Sequence, residues 1–199
     1  MTGLILAGGQ STRLGTPKAL LRLGGQTFIE RVVAAARTLC EQMIVVVSGP
    51  EYALPAMDGC RVVEDETPGL GPLGGLATGL TASEDEWHLT LACDLPLLRP
   101  ELLGLLVESA ADADAIVPNA GGRLQPLLAV YSRSCLAPAR ASIEAGRRAM
   151  SAMLDQVRVK VIEEAQLRAA DPELASFTNV NTWDDYQTLV RREELQAQG

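Results

Sequence analysis

The chain has 199 residues, 47% of them apolar and 21% charged, with a formal net charge of −8. That length supports one sizeable core and a single domain over 1–199, and the acidic balance speaks against nucleic-acid or anionic-membrane binding, which needs a basic surface. The first apolar run covers only residues 4–7 with no basic segment before it, so neither a signal peptide nor a spanning helix is expected, and a cytoplasmic location is.

Residues 4–7 read as a buried strand running into Gly8-Gly9-Gln10-Ser11-Thr12-Arg13-Leu14-Gly15-Thr16-Pro17-Lys18. Small residues at a strand end let backbone N–H groups approach an anion, and Arg13 and Lys18 can neutralise what those amides hold. The turn reads as a phosphate cradle. Its glycines fit neither G-x-G-x-x-G nor G-x-x-x-x-G-K-[ST]. Arg13 could instead brace the loop by bonding carbonyls.

Thr27-Phe28-Ile29-Glu30 has capping-box form, and Phe28, Ile29, Val32, Val33, Ala36, Leu39 and Cys40 recur at helical spacing. The mostly β-branched run 43–47 suits a parallel strand covered on both faces and ends at Ser48-Gly49-Pro50. A weak helix over 51–57 precedes a strand over 60–63, which ends at Glu64-Asp65. The segment 67–75 is a Pro/Gly-broken loop feeding a helix over 73–81, and Gly74-Gly75 near its start predicts close approach to backbone or ligand. A fourth strand over 87–93 stops at Asp94-Leu95-Pro96, and Pro100 suits the first turn of a helix over 101–109.

This alternation implies an α/β fold with a mostly parallel sheet, whose ligands sit beyond the carboxyl ends of the strands. Residues 7–9, Ser48, Asp65 and Asp94 should therefore border one crevice. The second half is less regular: strands over 115–118 and 127–131 around a Gly121-Gly122 turn, the latter antiparallel; helices over 134–146 and 149–157; and a strand over 159–162. Thr182 caps a last helix with Trp183, Tyr186, Leu189 and Val190 on a buried stripe, and the polar end after Arg191 is expected to fray. Cys40, Cys60, Cys93 and Cys135 lack metal-site spacing and read as reduced thiols. His88 has no metal-spaced partner and reads as structural.

The pattern L-A-G-G-x-S-x-R-L-G-x-P-K resembles the signature loop of nucleotidyltransferases. Three further segments resemble the molybdenum cofactor guanylyltransferases: Val62-Val63-Glu64-Asp65 with the run 69–75, Cys93-Asp94-Leu95-Pro96, and Phe177-Thr178-Asn179-Val180-Asn181-Thr182. The resemblance implies a three-layer Rossmann-like nucleotidyltransferase fold, with a nucleotide-binding half over about 1–110 and an acceptor-binding half over about 111–199. It implies transfer of GMP from GTP to the terminal phosphate of molybdopterin, with magnesium and release of pyrophosphate. Other proteins that make the same cofactor are the implied partners.

Carried onto this sequence, the resemblance places the GTP-binding loop on Leu6, Ala7, Gly8 and Gly9, the phosphate-binding lysine on Lys18, a nucleotide-contacting acid on Asp65 and the metal-binding acid on Asp94. Ser48 stands where some members place an asparagine, and Gln125-Pro126 where a histidine often precedes proline. Arg123, Arg147 and Arg148 are the cations placed to meet a pterin phosphate, and Asn179 and Asn181 belong to the acceptor side or organise the site. Cytidylyltransferases of the same pathway usually carry L-A-A-G, and the second glycine here leaves room for a purine. The cytidine relative, a sugar-phosphate nucleotidyltransferase and a non-catalytic GTP-binding module are the alternatives.

A terminal phosphate monoester, with a second pKa of about 6, is already a dianionic nucleophile at neutral pH. The barrier is the approach of two polyanions, so Lys18, Arg13 and a metal at Asp94 would act by positioning and charge stabilisation. Beside these roles stand plainer ones. Asp94 could cap the turn before Pro96, Asp65 could begin its loop, and Asn179 and Asn181 could satisfy backbone groups before the last helix.

Overall fold

The computed structural model describes residues 1–8, 16–49, 54–55, 57–110 and 112–197. Its first half contains β1 (Thr2–Leu6), a short hairpin of β2 (Arg22–Leu23) and β3 (Gln26–Thr27), α1 (Phe28–Ala36), β4 (Gln42–Val47), β5 (Cys60–Glu64), α2 (Pro72–Thr81), β6 (Trp87–Ala92) and α3 (Pro100–Glu108). The second contains β7 (Ala115–Ala120), β8 (Arg123–Leu124), β9 (Leu128–Ser132), α4 (Leu136–Glu144), α5 (Met150–Leu154), β10 (Val159–Ile162), α6 (Glu164–Ala170) and α7 (Trp183–Ala197).

The central sheet has the order β10-β7-β9-β6-β1-β4-β5, with β8 bonded to β7 alone. Its β1, β4, β5 and β6 are mutually parallel, as the continuous apolar runs predict, while β9 is antiparallel to both β6 and β7. Side chains alternate between two cores because a strand points successive residues to opposite faces. Ile5, Val45 and Val47 pack with α1 and α3, whereas Leu4, Ile44 and Val46 pack with α2, α4 and α5. Glycine is needed where α2 meets β1, since a Cβ on Gly79 would lie 2.9 Å from Leu4 Cδ1.

Capping chemistry sets the helix starts. Thr27 and Glu30 form the expected capping box of α1, and Pro100 occupies the first turn of α3. The predicted helix over 51–57 lies largely outside the described residues. Two expectations are corrected. Trp183 is not on a buried stripe but 45% exposed, because the buried face of α7 begins at Leu189 and Tyr186 intervenes edge-on. The polar end past Arg191, expected to fray, is drawn up as helix to Ala197, with Glu193 paired to Arg31 of α1 at 2.8 Å. The β2–β3 hairpin and α6 are additional elements. Gly24 and Gly25, both at positive φ, form the hairpin's two-residue turn, a signal present in the sequence.

Candidate active site

The carboxyl ends of β1, β4, β5 and β6 open onto one crevice of about 840 Å³, lined by Leu6, Ala7, Gly8, Lys18, Ser48, Asp65 and Asp94 among others. Backbone bonds hold these ends level: Ala7 N–H donates to Val46 O at 2.8 Å, Asp65 N–H to Val47 O at 2.7 Å, and Cys93 N–H to Leu6 O at 3.2 Å. The strand-end residues thus converge as their positions in the sequence predict. Gly9 and Arg13 lie outside the described residues.

Gly8 has no room for a side chain, since a Cβ there would lie 2.5 Å from Ser48 Oγ and 3.1 Å from Ser48 N. The Ser48 hydroxyl donates to the Gly8 carbonyl, so its short side chain ties the turns after β1 and β4 together. Asp65 is held by its own loop: Oδ1 accepts from the Thr67 N–H at 2.9 Å and the Thr78 hydroxyl at 3.0 Å. Gly74 makes the predicted close approach, a Cβ there lying 2.9 Å from Thr67 Oγ1 and 3.2 Å from the Thr67 carbonyl, whereas at Gly75 the nearest atom, Leu6 Cδ2, is at an ordinary contact distance of 3.5 Å. The first turn of α2, with Gly71 at φ 70° and Pro72 behind it, borders the same crevice, so the positive end of the helix dipole lies beside it.

Lys18 sits in a 3₁₀ turn over Lys18–Leu20 and spans two distant segments. Its Nζ donates to Asp94 Oδ2 at 2.8 Å and to Asn181 Oδ1 at 2.6 Å. Asn181 arrives there because the Val180 N–H donates to the Asp94 carbonyl at 3.2 Å, with the Val180 side chain fully buried. Asp185 completes the support: Oδ2 accepts from the N–H groups of Asn181 at 2.9 Å and Thr182 at 2.8 Å, while its own N–H donates to Thr182 Oγ1. These backbone bonds, the first of them from Asn181, hold the Asp185 carboxyl below the usual range, helped by the Thr182 hydroxyl and by Lys18. Sequence reasoning overlooked Asp185, although Thr182-Trp183-Asp184-Asp185 carries the T-x-x-D spacing of a reciprocal cap.

The other acceptor-side candidates do not gather here. Arg123 is exposed on β8, and the Gln125 amide turns towards the carbonyls of Ala120 and Arg123 at 3.5 Å. Arg147 is exposed beyond α4, where its backbone N–H donates to Ser142 O, and Arg148 beside it is exposed as well. Asn179 is exposed next to Val180. None of Arg123, Gln125, Arg147 and Asn179 is among the described residues lining the crevice. A second cleft of about 470 Å³ lies behind residues 96–100, where Arg31, Arg99 and Arg192 are each paired with an acid.

Two features bound the chemistry. Cys93 is buried against the crevice and burial pushes its thiol up to about 12, with the Asp94 charge adding to the shift, so it stays protonated and is no nucleophile. Among the described residues, no group of three His, Cys, Asp or Glu side chains is arranged to cage a metal. A single carboxylate at the mouth of a nucleotide-sized crevice would instead suit an ion such as Mg²⁺, which keeps waters and takes its remaining ligands from substrate phosphates.

Residues 3–161 match the family described as the MobA-like NTP transferase domain. A relative from Chloroflexus aggregans, named "Probable molybdenum cofactor guanylyltransferase", is 39% identical over 195 residues, covering 95% of this chain and 93% of its own. One from Desulfosudis oleivorans, named "Molybdenum cofactor guanylyltransferase", is 36% identical, with coverages of 94% and 93%. The solved structure of molybdopterin-guanine dinucleotide biosynthesis protein A from Archaeoglobus fulgidus superposes with a TM-score of 0.82 at 28% identity, covering 100% of both chains.

Proposed function

Since the chain belongs to the MobA-like NTP transferase family and is a nucleotidyltransferase, we propose that it transfers GMP from GTP to the terminal phosphate of molybdopterin, with Mg²⁺, releasing pyrophosphate. The observation that carries this reading is the contact of Lys18 with Asp94 and Asn181 at the mouth of the crevice where four parallel strands end. An ammonium and a carboxylate 2.8 Å apart form a preorganised charge pair into which a triphosphate can insert.

The backbone around residues 6–8 and the first turn of α2 would receive the nucleotide, with Asp65 bonding its sugar or base. Lys18 would move from Asp94 towards the triphosphate and neutralise charge on the departing pyrophosphate. Asp94 would then be released to hold the divalent ion, which when bound supplies charge stabilisation across the attacking and leaving oxygens. The acceptor phosphate needs no general base, because its second pKa of about 6 leaves it dianionic at neutral pH. Asn181 would orient Lys18, and Arg13 would add a second cation beside the cradle. The outward-facing cations Arg123 and Arg147, with Gln125 and Asn179, would meet the acceptor.

Guanine is favoured by the second glycine of Leu6-Ala7-Gly8-Gly9, which leaves more room beside the base than an L-A-A-G turn. The test is to incubate the chain with molybdopterin, Mg²⁺ and either GTP or CTP, following pyrophosphate. Release from GTP in excess of CTP is the expected result. Release from CTP alone transfers the assignment to the cytidine relatives, turnover of a hexose 1-phosphate but not molybdopterin to the sugar-phosphate enzymes, and tight GTP binding without turnover to a non-catalytic module.

A further inference from the structure

We propose that Asp171 is a positioning residue for the transfer reaction: it fixes the register between the segment carrying Asp94 and the segment carrying Asn181, and so delivers the Asn181 amide to Lys18. The proposal rests on the transferase reading for its kinetic consequence, but not for its structural one.

Asp171 follows α6 and is fully buried, a costly place for a carboxylate unless its oxygens are engaged. Oδ2 accepts from the Ser176 N–H at 2.8 Å, and the Asp171 carbonyl accepts from the Leu174 N–H at 2.9 Å. Together they hold a tight turn in which Leu174 has φ 53°, a left-handed conformation that a branched side chain keeps only when its surroundings impose it. Oδ1 makes no hydrogen bond among the described residues and faces the Arg99 guanidinium at 3.4 Å.

Arg99 is the residue just before α3, at the far end of the turn that begins with Asp94. Its backbone N–H donates to Ser176 Oγ at 2.9 Å. At the other end, the Val180 N–H donates to the Asp94 carbonyl. The two segments therefore run antiparallel, tied once between 99 and 176 and once between 94 and 180. Asp171 grips the first tie from both sides, through the Ser176 backbone and the Arg99 side chain. A one-residue slip there would carry Asn181 away from Lys18, to which it is bonded at 2.6 Å. A carboxylate that merely ended α6 would need neither Arg99 nor Ser176.

The test is a double-mutant cycle on kcat/KM between Asp171→Ala and Asn181→Ala. A displacement of about 1 Å at a reacting group can cost roughly a hundredfold, so each single variant is expected to lose tenfold or more, chiefly in kcat. The double variant should lose no more than the worse single one, because Asn181 is already misplaced once Asp171 is gone. Asp114→Ala breaks a comparable pair, with Arg158 at 3.0 Å beside the start of β7, and its effect should instead multiply with that of Asn181→Ala. Should Asp171→Ala fail to fold, Asp171→Asn, which keeps the shape, takes its place in the cycle.

A second readout needs no turnover: hydrogen exchange of a peptide spanning 178–182 should quicken in the Asp171 variant while β1 and β4 keep their protection. Multiplicative losses at Asp171 and Asn181 overturn the proposal, as does unchanged exchange at 178–182. If the wild-type protein transfers no GMP, the transferase reading falls, and the exchange result still decides the register role.

Discussion

Lys18 and Asp94 are joined at 2.8 Å across 76 positions of sequence, with side chains 21% and 18% exposed, so the first turn of the chain and the end of β6 meet as an ion pair at the lip of the crevice. Asp94→Ala should reduce transfer by about a hundredfold or more, the scale seen when a group stabilising transition-state charge is removed. The fold should persist, because the bond from Val180 goes to the Asp94 backbone and not to its side chain. Steady-state kinetics alongside a thermal melt check this, and wild-type rates would remove Asp94 from the metal site.

Lys18→Ala should weaken GTP binding by roughly ten- to a hundredfold, since it deletes a cation from an anion-binding crevice and leaves Asp94 without its counter-charge. Asp94→Ala should weaken it far less in the absence of Mg²⁺. Titration calorimetry with GTP, with and without the metal, separates the two. Equal losses in both variants without Mg²⁺ would contradict the assigned roles.

Gly8→Ala should lower GTP affinity through a steric clash, because the new Cβ would fall 2.5 Å from Ser48 Oγ. Adding Ser48→Gly should restore part of the loss. It cannot restore all of it, since the Ser48 backbone nitrogen lies 3.1 Å from the same point. Nucleotide binding by the single and double variants measures the recovery, and no recovery at all would mean the clash lies elsewhere.

Acid should destabilise the protein through His88. Its ring is fully buried on β6, neither nitrogen makes a well-aligned hydrogen bond among the described residues, and burial lowers its pKa to about 4, with a weak contact to the Tyr131 backbone and the Asp85 charge offsetting this only in part. The unfolded chain, with His88 near 6.5, binds a proton that the folded chain refuses between those values. Stability is therefore complete above about pH 6.5 and falls as pH drops towards 4, by up to roughly 3 kcal/mol. Urea melts across this window should show the slope, and His88→Leu should flatten it. An unchanged slope in that variant would assign the acid sensitivity to other groups.

The parallel strands and the carboxylates at their ends were legible locally. A continuous run such as 43–47 has one low-energy destination, a strand covered on both faces, and Ser48, Asp65 and Asp94 follow such runs directly. The Gly-Gly turn of the β2–β3 hairpin and the T-x-x-D cap ending at Asp185 are equally local signals, shorter and fainter than the periodic runs beside them.

Trp183 illustrates the opposite case. Its helical phase matched Tyr186 and Leu189, yet a stripe becomes buried only where another element covers it, and the cover over α7 stops short of Trp183. Asp171 likewise has no sequence signal for burial, since acids are almost never fully buried and only the fold reveals the Arg99 and Ser176 that accommodate it.

By itself the sequence determined the α/β class, which strands run parallel, and which residues end them, because hydrophobic period and turn chemistry act over a few residues. Tertiary structure alone decided that β9 takes its place between β6 and β7, that Asn181 returns across 163 positions to Lys18, and that Asp171 lies beneath the segment bringing it there. Such contacts are fixed when two cores close on a sheet, where the pairing that buries most apolar surface and leaves fewest polar groups unpaired prevails, and no local pattern encodes that outcome.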